Sequence, residues 1–404
     1  MTKRRKIVLV TGVFPPGVGG MQNYYYNLSV HSKHDMTVIA PEYPGSGEFD
    51  RRLPFRITRG AFMREERADP SSWGRLLGQV RRTMRGEEPD VTIYGYVLIG
   101  FIGLLFRLFG GRRYVISTHG MDMLMFRRYI GLNAVVKLIL RKADGVLTNS
   151  QFTKKLVEDY GVDSRRIGIV NPGVERIYDR RPANKDLIRQ HGLEGKYMIL
   201  SVGRLVTRKG HDRVIQAMPA ILKQIPHAVY VIVGDGPDRE RLELLARKTG
   251  VMDVVLFVGS VSGSEQVNDY YNLADQFIMV SRELESGDAE GFGIVYLEAA
   301  SAGLPVIAGR SGGASEAVQD GVTGLLVDPE SLEEIAGSVV RLASDAALRN
   351  RLVRDGYKRA KTEFQHEVLA AGFDQYIGRI CALPATRTAR RRLARESARE
   401  NVRS

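Results

Sequence analysis

Short β-branched runs alternate with longer helical patterns along the chain, and the spacing predicts strands at Lys6–Val10, Met36–Ala40, Val91–Tyr94, Tyr114–Ser117, Gly145–Thr148 and Ile167–Val170. A second set of six is predicted at Met198–Val202, Val229–Val233, Val254–Val258, Phe277–Val280, Val306–Ala308 and Gly324–Val327. Several of these runs are continuously apolar, as strands covered on both faces must be. Strands alternating with helices build parallel sheets, since each crossover must return the chain to the same edge. The two sets part near Asn171-Pro-Gly-Val-Glu175, so the expected fold class is α/β: two Rossmann-like, doubly wound parallel-sheet domains facing a central cleft. After Val327 the pattern turns helical, with segments expected at Leu332–Leu342, Ala346–Asp355 and Gly356–Ile380. The expected divisions are an N-terminal domain over 1–173, a C-terminal domain over 174–362, a helix over 363–385 crossing back to the first domain, and a basic tail over 386–404.

Composition narrows the class. The 404 residues are 44% hydrophobic and 26% charged, which excludes a disordered chain, a collagen and a disulfide-stapled miniprotein. One cysteine, Cys381, can form neither an internal disulfide nor a zinc site, and Met1–Lys6 lacks the apolar stretch of a signal peptide. A cytoplasmic location is expected. The net charge of +13 is unevenly spread: 1–181 carries 30 Lys/Arg against 17 Asp/Glu, 182–385 carries 22 against 27, and 386–404 carries 7 against 2. A segregated basic half points to an anionic partner. Nucleic acid is disfavoured, because no basic run is interleaved with aromatics at a base-stacking spacing.

A membrane surface is the stronger candidate. Val97–Phe109 is apolar apart from Gly100, Gly103 and Arg107, yet as a helix it would rise only ~20 Å against a ~30 Å hydrocarbon layer. Met123–Lys142 mixes Leu124, Phe126, Ile130, Val135, Leu138 and Ile139 with Arg127, Arg128, Lys137, Arg141 and Lys142. That composition suits either a helix covering a sheet, as any amphipathic helix can, or one lying on a lipid surface, and the regional charge brings the second level with the first. The tail, with Arg387, Arg390, Arg391, Arg392, Arg395, Arg399 and Arg403, could add to such attachment.

Three segments carry candidate chemistry. Thr11-Gly-Val-Phe-Pro-Pro-Gly-Val-Gly19-Gly20 joins the first strand to a helix, where glycines let backbone amides approach an anion beside the helix N-terminus. The spacing is not G-x-G-x-x-G, so a nicotinamide cofactor is not expected. Ser201-Val-Gly203-Arg204 ends a strand and runs into Thr207-Arg208-Lys209-Gly210; Arg204 and Lys209 could converge there on a diphosphate, one by forked hydrogen bonds and one as a compact charge. Glu290-Gly291-Phe292-Gly293-Ile294 opens a helix that contains Glu298. Inside an apolar helix Glu298 needs a partner, for which ribose hydroxyls would serve, while Glu290 at the loop mouth could reach sugar hydroxyls. The amides of Gly291 to Ile294 are left for a phosphate.

Together with Thr118-His119-Gly120, the Asn171-Pro-Gly-Val linker and Pro305-Val-Ile-Ala-Gly-Arg-Ser-Gly-Gly313, these motifs resemble the retaining glycosyltransferases of family 4, which have the GT-B architecture. The stretch Gly287–Glu298 is most similar to bacterial phosphatidylinositol-mannoside mannosyltransferases, which use GDP-mannose at the inner membrane face. The resemblance implies a metal-independent hexosyltransferase with no cofactor, whose donor is GDP-mannose or a UDP-sugar and whose acceptor is a lipid-linked or other glycan. It implies that Arg204 and Lys209 hold the donor diphosphate, with Gly19 and Gly20 packed against it. Glu298 would hold the ribose, the backbone near Val258 the base, and Glu290 with the Phe292 and Gly293 amides the sugar. His119 would lie beside the reacting carbon or its 6-hydroxyl. The acceptor would attack from the face of departure, with a leaving-phosphate oxygen taking its proton. Ser281–Ala289, with Glu283, Glu285 and Asp288, is longer than in many members and either shapes the acceptor or is solvated; Ser311-Gly312-Gly313 and Glu316 suggest another turn near the site. A UDP-glucose, UDP-galactose or UDP-N-acetylglucosamine transferase of surface-polysaccharide assembly, a sugar-nucleotide epimerase or hydrolase, and a non-catalytic surface-binding protein are the competing readings. Oligomeric state is not legible.

Overall fold

The computed structural model describes residues 3–62, 70–127 and 129–383. The chain divides into two units, Met1–Pro172 with His366–Ser404, and Gly173–Gln365. Arg128 and the arginine-rich tail lie outside the described residues.

The first unit is built on a seven-stranded parallel sheet of β1 (Lys6–Val10), β2 (Asp35–Pro41), β3 (Arg56–Gly60), β4 (Val91–Tyr94), β5 (Tyr114–Thr118), β6 (Gly145–Thr148) and β7 (Ile167–Ile169). Their spatial order is β3-β2-β1-β4-β5-β6-β7, with Ile7 registered against Met36 on one side and Val91 on the other. Side chains alternate between two cores: Val8, Val10, Tyr94, Ile116 and Val146 on one face, Ile7, Leu9, Ile93, Val115 and Leu147 on the other. Chain order reverses between β1 and β4, so the connections leaving these two strands diverge and open the carboxyl edge of the sheet.

β3 was not among the expected strands. It reads Arg-Ile-Thr-Arg-Gly and lies at the sheet edge, where pairing on one side suffices and no apolar run is needed. The apolar stretch near Val97 forms the helix Gly100–Gly110, which packs on the sheet where Gly103 lets the Tyr94 and Tyr114 rings approach; an added Cβ would come within 2.5 Å of Tyr94. The expected continuous segment Met123–Lys142 is broken instead into Met121–Leu124 and Ile130–Lys142.

The second unit holds a six-stranded parallel sheet of β8 (Tyr197–Val202), β9 (Ala228–Val233), β10 (Val255–Gly259), β11 (Gln276–Met279), β12 (Val306–Gly309) and β13 (Leu325–Val327). The order is β10-β9-β8-β11-β12-β13, so the reversal falls between β8 and β11. The connections after β8 and β11 therefore emerge side by side although they are some 80 residues apart in sequence, the Lys209 and Glu290 partners being separated by 81.

The helical end differs from expectation at one boundary. Ala346–Glu363 runs straight through Gly356, and the break falls at Phe364–Gln365 before His366–Ala382. Gly356 serves packing, because a Cβ there would stand 3.0 Å from the Thr323 carbonyl oxygen. His366–Ala382 belongs to the first unit and lies against the helix Gly20–His31. Asp374 accepts hydrogen bonds from Ser32 Oγ (2.7 Å) and the Lys33 amide (3.0 Å), and Tyr376 donates to the Arg166 carbonyl (3.0 Å).

Candidate active site

In the second unit, β8 leads through Gly203-Arg204 into the short turn Thr207–Lys209, then Gly210 and the helix His211–Gln224. Gly210 has φ 75°, and a Cβ there would lie 2.1 Å from the Val280 carbonyl oxygen. Only glycine lets this turn press so closely on the exit of β11. The Arg282 amide donates to the Arg208 carbonyl at 2.8 Å, joining the two connections directly.

Their side chains meet as a four-charge cluster. Buried Lys209 donates through Nζ to Glu290 Oε2; Arg208 Nη1 reaches the same oxygen at 2.9 Å, and Arg208 Nε stands 3.2 Å from Asp288 Oδ1. Burial pushes the Glu290 carboxyl up, but the charges of Lys209 and Arg208 outweigh it and hold the group below the usual carboxylate range. Asp288 goes the other way: burial raises it, the neighbouring Glu290 adds to the rise, and Arg208 only partly offsets them. Two cations thus sit where two strands end, balanced by two carboxylates.

Sequence reasoning singled out Lys209 and Glu290, which the fold brings together. It expected Arg204 to converge with Lys209; Arg204 is exposed, and the second cation on Glu290 is Arg208, to which no role was assigned. A basic pair flanking a glycine was the available signal, and Arg208 stood inside it.

The backbone of Glu290–Gly293 is braced from below. The Gly313 amide donates to the Glu290 carbonyl at 2.8 Å, and a Cβ on Gly313 would stand 2.2 Å from the Gly291 carbonyl oxygen. The turn Ser311-Gly312-Gly313 therefore supports the loop from which Glu290 projects. Phe292 is buried in the core against Phe364, with ring centroids 5.7 Å apart. Gly293 precedes the helix Ile294–Ser301, whose first turn receives no side-chain cap. Glu298 accepts from the Tyr271 hydroxyl at 2.9 Å, and burial pushes its carboxyl up to about 7. Tyr271, fully buried, is the partner Glu298 has in the fold, where the sequence pointed to ribose hydroxyls. Val258 lies half-buried on β10.

In the first unit, Gly19 and Gly20 open the helix Gly20–His31, again without a side-chain cap. Space around Gly20 is open, whereas a Cβ on Gly19 would meet Gln22 Oε1 at 2.5 Å. The preceding loop is held by Arg59 at the end of β3, which donates to the Pro15 and Pro41 carbonyls (2.6 and 2.9 Å) and pairs with Asp50 at 2.7 Å.

His119 follows β5 in a turn organised by buried Asp122, which accepts from Thr118 Oγ1 (2.6 Å), the Val97 amide (3.2 Å) and the His119 amide (3.4 Å). Asp122 was not recognised from the sequence. His119 Nε2 lies 3.1 Å from the Tyr25 hydroxyl, which also stands 2.9 Å from the Gly95 carbonyl and 3.2 Å from Ser117 Oγ. Burial lowers the His119 pKa to about 4, so the ring is neutral at pH 7. Among the described residues no group of three or more His, Cys, Asp or Glu side chains is placed to hold a metal ion, and no helix is long and apolar enough to cross a membrane.

Residues 18–176 match the family model described as Glycosyltransferase Family 4, and residues 184–359 match Glycosyl transferases group 1. The chain is similar to a GDP-mannose-dependent alpha-(1-6)-phosphatidylinositol monomannoside mannosyltransferase of Mycolicibacterium smegmatis, with 33% identity over 84% of this chain and 89% of the relative. The protein of the same description from Mycobacterium tuberculosis is 32% identical over 92% of this chain and 98% of its own length. Among solved structures, HepE of Anabaena in complex with UDP superposes with a TM-score of 0.77 at 19% identity, covering 93% of this chain and all of that one. Sucrose-phosphate synthase of Thermosynechococcus elongatus does so with 0.75 at 22%, covering 94% and 100%.

Proposed function

Since this chain belongs to the family 4 glycosyltransferases and has their two-domain GT-B fold, we propose that it transfers mannose from GDP-mannose, with retention, to a lipid-linked glycan acceptor. The observation that carries this reading is the cluster of Lys209, Arg208, Glu290 and Asp288 at the strand-order reversal of the second sheet.

Cleaving the bond between sugar and diphosphate leaves negative charge on the departing oxygen and positive character on the sugar. Preorganised cations and amides lower that barrier by stabilising the first, each donor being worth about 3 kcal/mol where one has been removed in other enzymes. Lys209 and Arg204, with the amides of Gly291, Phe292, Gly293 and Ile294, take the diphosphate in this proposal. Glu290, released from its cations, accepts from the sugar hydroxyls. Glu298 with Tyr271 holds the ribose, and the backbone at Val258 and at Gly19 and Gly20 completes the donor contacts. The acceptor hydroxyl attacks from the side of departure and passes its proton to a phosphate oxygen, which requires neither a carboxylate nucleophile nor a metal. Being neutral, His119 serves the sugar as a hydrogen-bonding partner and not as a cation.

The enzyme would work from the cytoplasmic side, peripheral on an anionic membrane. This is supported by the basic balance of the first half and by the exposure, in the segments Gly100–Gly110 and Ile130–Lys142 and just before the second, of the apolar Leu108, Phe109, Ile130 and Leu138 and the basic Arg127, Lys137, Arg141 and Lys142, with Phe109 84% and Ile130 89% exposed. Thermal-shift titration tests the donor. GDP-mannose should raise Tm, since a ligand at 100 times its Kd adds about 2.7 kcal/mol, and UDP-glucose, UDP-galactose and UDP-N-acetylglucosamine should not. A shift with a UDP-sugar alone would replace the donor.

A further inference from the structure

Behind the turn carrying Arg208 and Lys209, two opposite charges are buried together. Arg282, in the connection after β11, directs both prongs of its guanidinium at Asp212 in the first turn of the helix His211–Gln224: Nη1 to Oδ1 at 3.0 Å and Nη2 to Oδ2 at 2.8 Å. Each residue is 8% exposed. A buried pair of this kind adds little net stability, because desolvation offsets the attraction. Its geometry is distinctive: Asp212 stands three residues beyond Lys209, and Arg282 eight before Glu290, so the fork ties together the two connections that supply the charge cluster.

The surroundings hold the fork in place. Arg282 also donates its amide to the Arg208 carbonyl and approaches Glu330 at 3.5 Å, and Glu330 pairs with Arg213. On the far side Arg241 lies 3.7 Å from Asp212 and 2.8 Å from Asp238, which accepts from Thr207 Oγ1 at 2.8 Å. Burial alone would raise Asp212, but Arg282 above all, with Arg241 and Arg213, keeps it below the usual carboxylate range.

We infer that Arg282, locked by Asp212, is a positioning residue that sets Glu290 and Asp288 against Lys209 and Arg208, and so fixes the donor sugar for transfer. This rests on the donor site proposed above. Glu290 and Asp288 lie on the loop that Arg282 tethers at one end and the Gly313 amide braces at the other, whereas Lys209 and Glu298 are held by their own turn and helix. Loosening the fork should therefore disturb the sugar more than the nucleoside diphosphate. Lysine keeps the charge at position 282 but cannot form the fork.

The test uses full-length Arg282→Lys and Asp212→Asn. Turnover is read as GDP release from GDP-mannose with phosphatidylinositol monomannoside in detergent micelles, and GDP affinity by calorimetry. For both variants kcat should fall by about tenfold or more, with Kd for GDP within about threefold of wild type. Rates within twofold of wild type, or a loss of GDP affinity in parallel with kcat, would overturn the inference. So would wild-type turnover by Arg282→Lys where Arg282→Gln fails to fold, since the pair would then be structural only. Wild type that turns over neither substrate would instead overturn the donor and acceptor reading, and the inference with it.

Discussion

Glu298 carries the clearest pH signature. Its carboxyl is raised from 4.5 to about 7 by burial, so between those values the folded chain holds a proton that the unfolded chain has lost. Its contribution to stability is complete below the unfolded value and drains away as pH rises through 7. Relative to Glu298→Gln, wild type should lose roughly 5 °C or more in Tm between about pH 5 and 8, on the order of 2–3 kcal/mol. A flat difference would contradict the assignment. The difference is needed because half-buried His119 and buried His211, each lowered to about 4, act oppositely: what they contribute is lost as pH falls from 6.5 through 4.

Glu290 offers a second prediction at this scale. Its charge competes with the diphosphate for Lys209, so Glu290→Gln should bind GDP several-fold more tightly, measured by calorimetry, while transfer falls by about 100-fold or more. Weaker GDP binding would count against a shared cation site. Glu290 and Lys209 were legible because each flanks glycines at a strand-to-helix turn. Arg208, Asp288, Asp122 and Tyr271 were not, because their importance lies in contacts that the chain makes only after folding, such as the 82-residue span from Arg208 to Glu290.

Among elements, strands with continuous apolar runs were readable to within a residue or two, since a strand covered on both faces has no polar alternative. β3 escaped because an edge needs no such run, and yet it supplies Arg59, which braces the loop before Gly19. A helix stop was read at Gly356, where glycine instead admits the Thr323 carbonyl. Gly210 is the converse case, a glycine that both turns the chain and sets the site. Gly210→Ala should cost about 1–3 kcal/mol and lower transfer in proportion to the displacement of Lys209. A variant with unchanged Tm and unchanged rate would remove the turn from the account.

At the level of the molecule, the pattern of twelve readable strands was enough to give two doubly wound units, and the motifs enough to give the family. Surface attachment depended on regional charge and on an apolar stretch whose inner face was claimed by the sheet. In a flotation assay the protein should rise with anionic vesicles at low salt and less so at high salt, and Phe109→Ser with Ile130→Ser should weaken the salt-resistant fraction. Absence of binding at either ionic strength would exclude attachment through this surface.

The most direct measurement is calorimetric titration of GDP-mannose into wild type and Lys209→Met. Wild type should bind saturably and the variant at least about 30-fold more weakly, the loss of a charge-assisted contact to the diphosphate. Equal affinity in the two proteins would contradict a donor held at the end of β8.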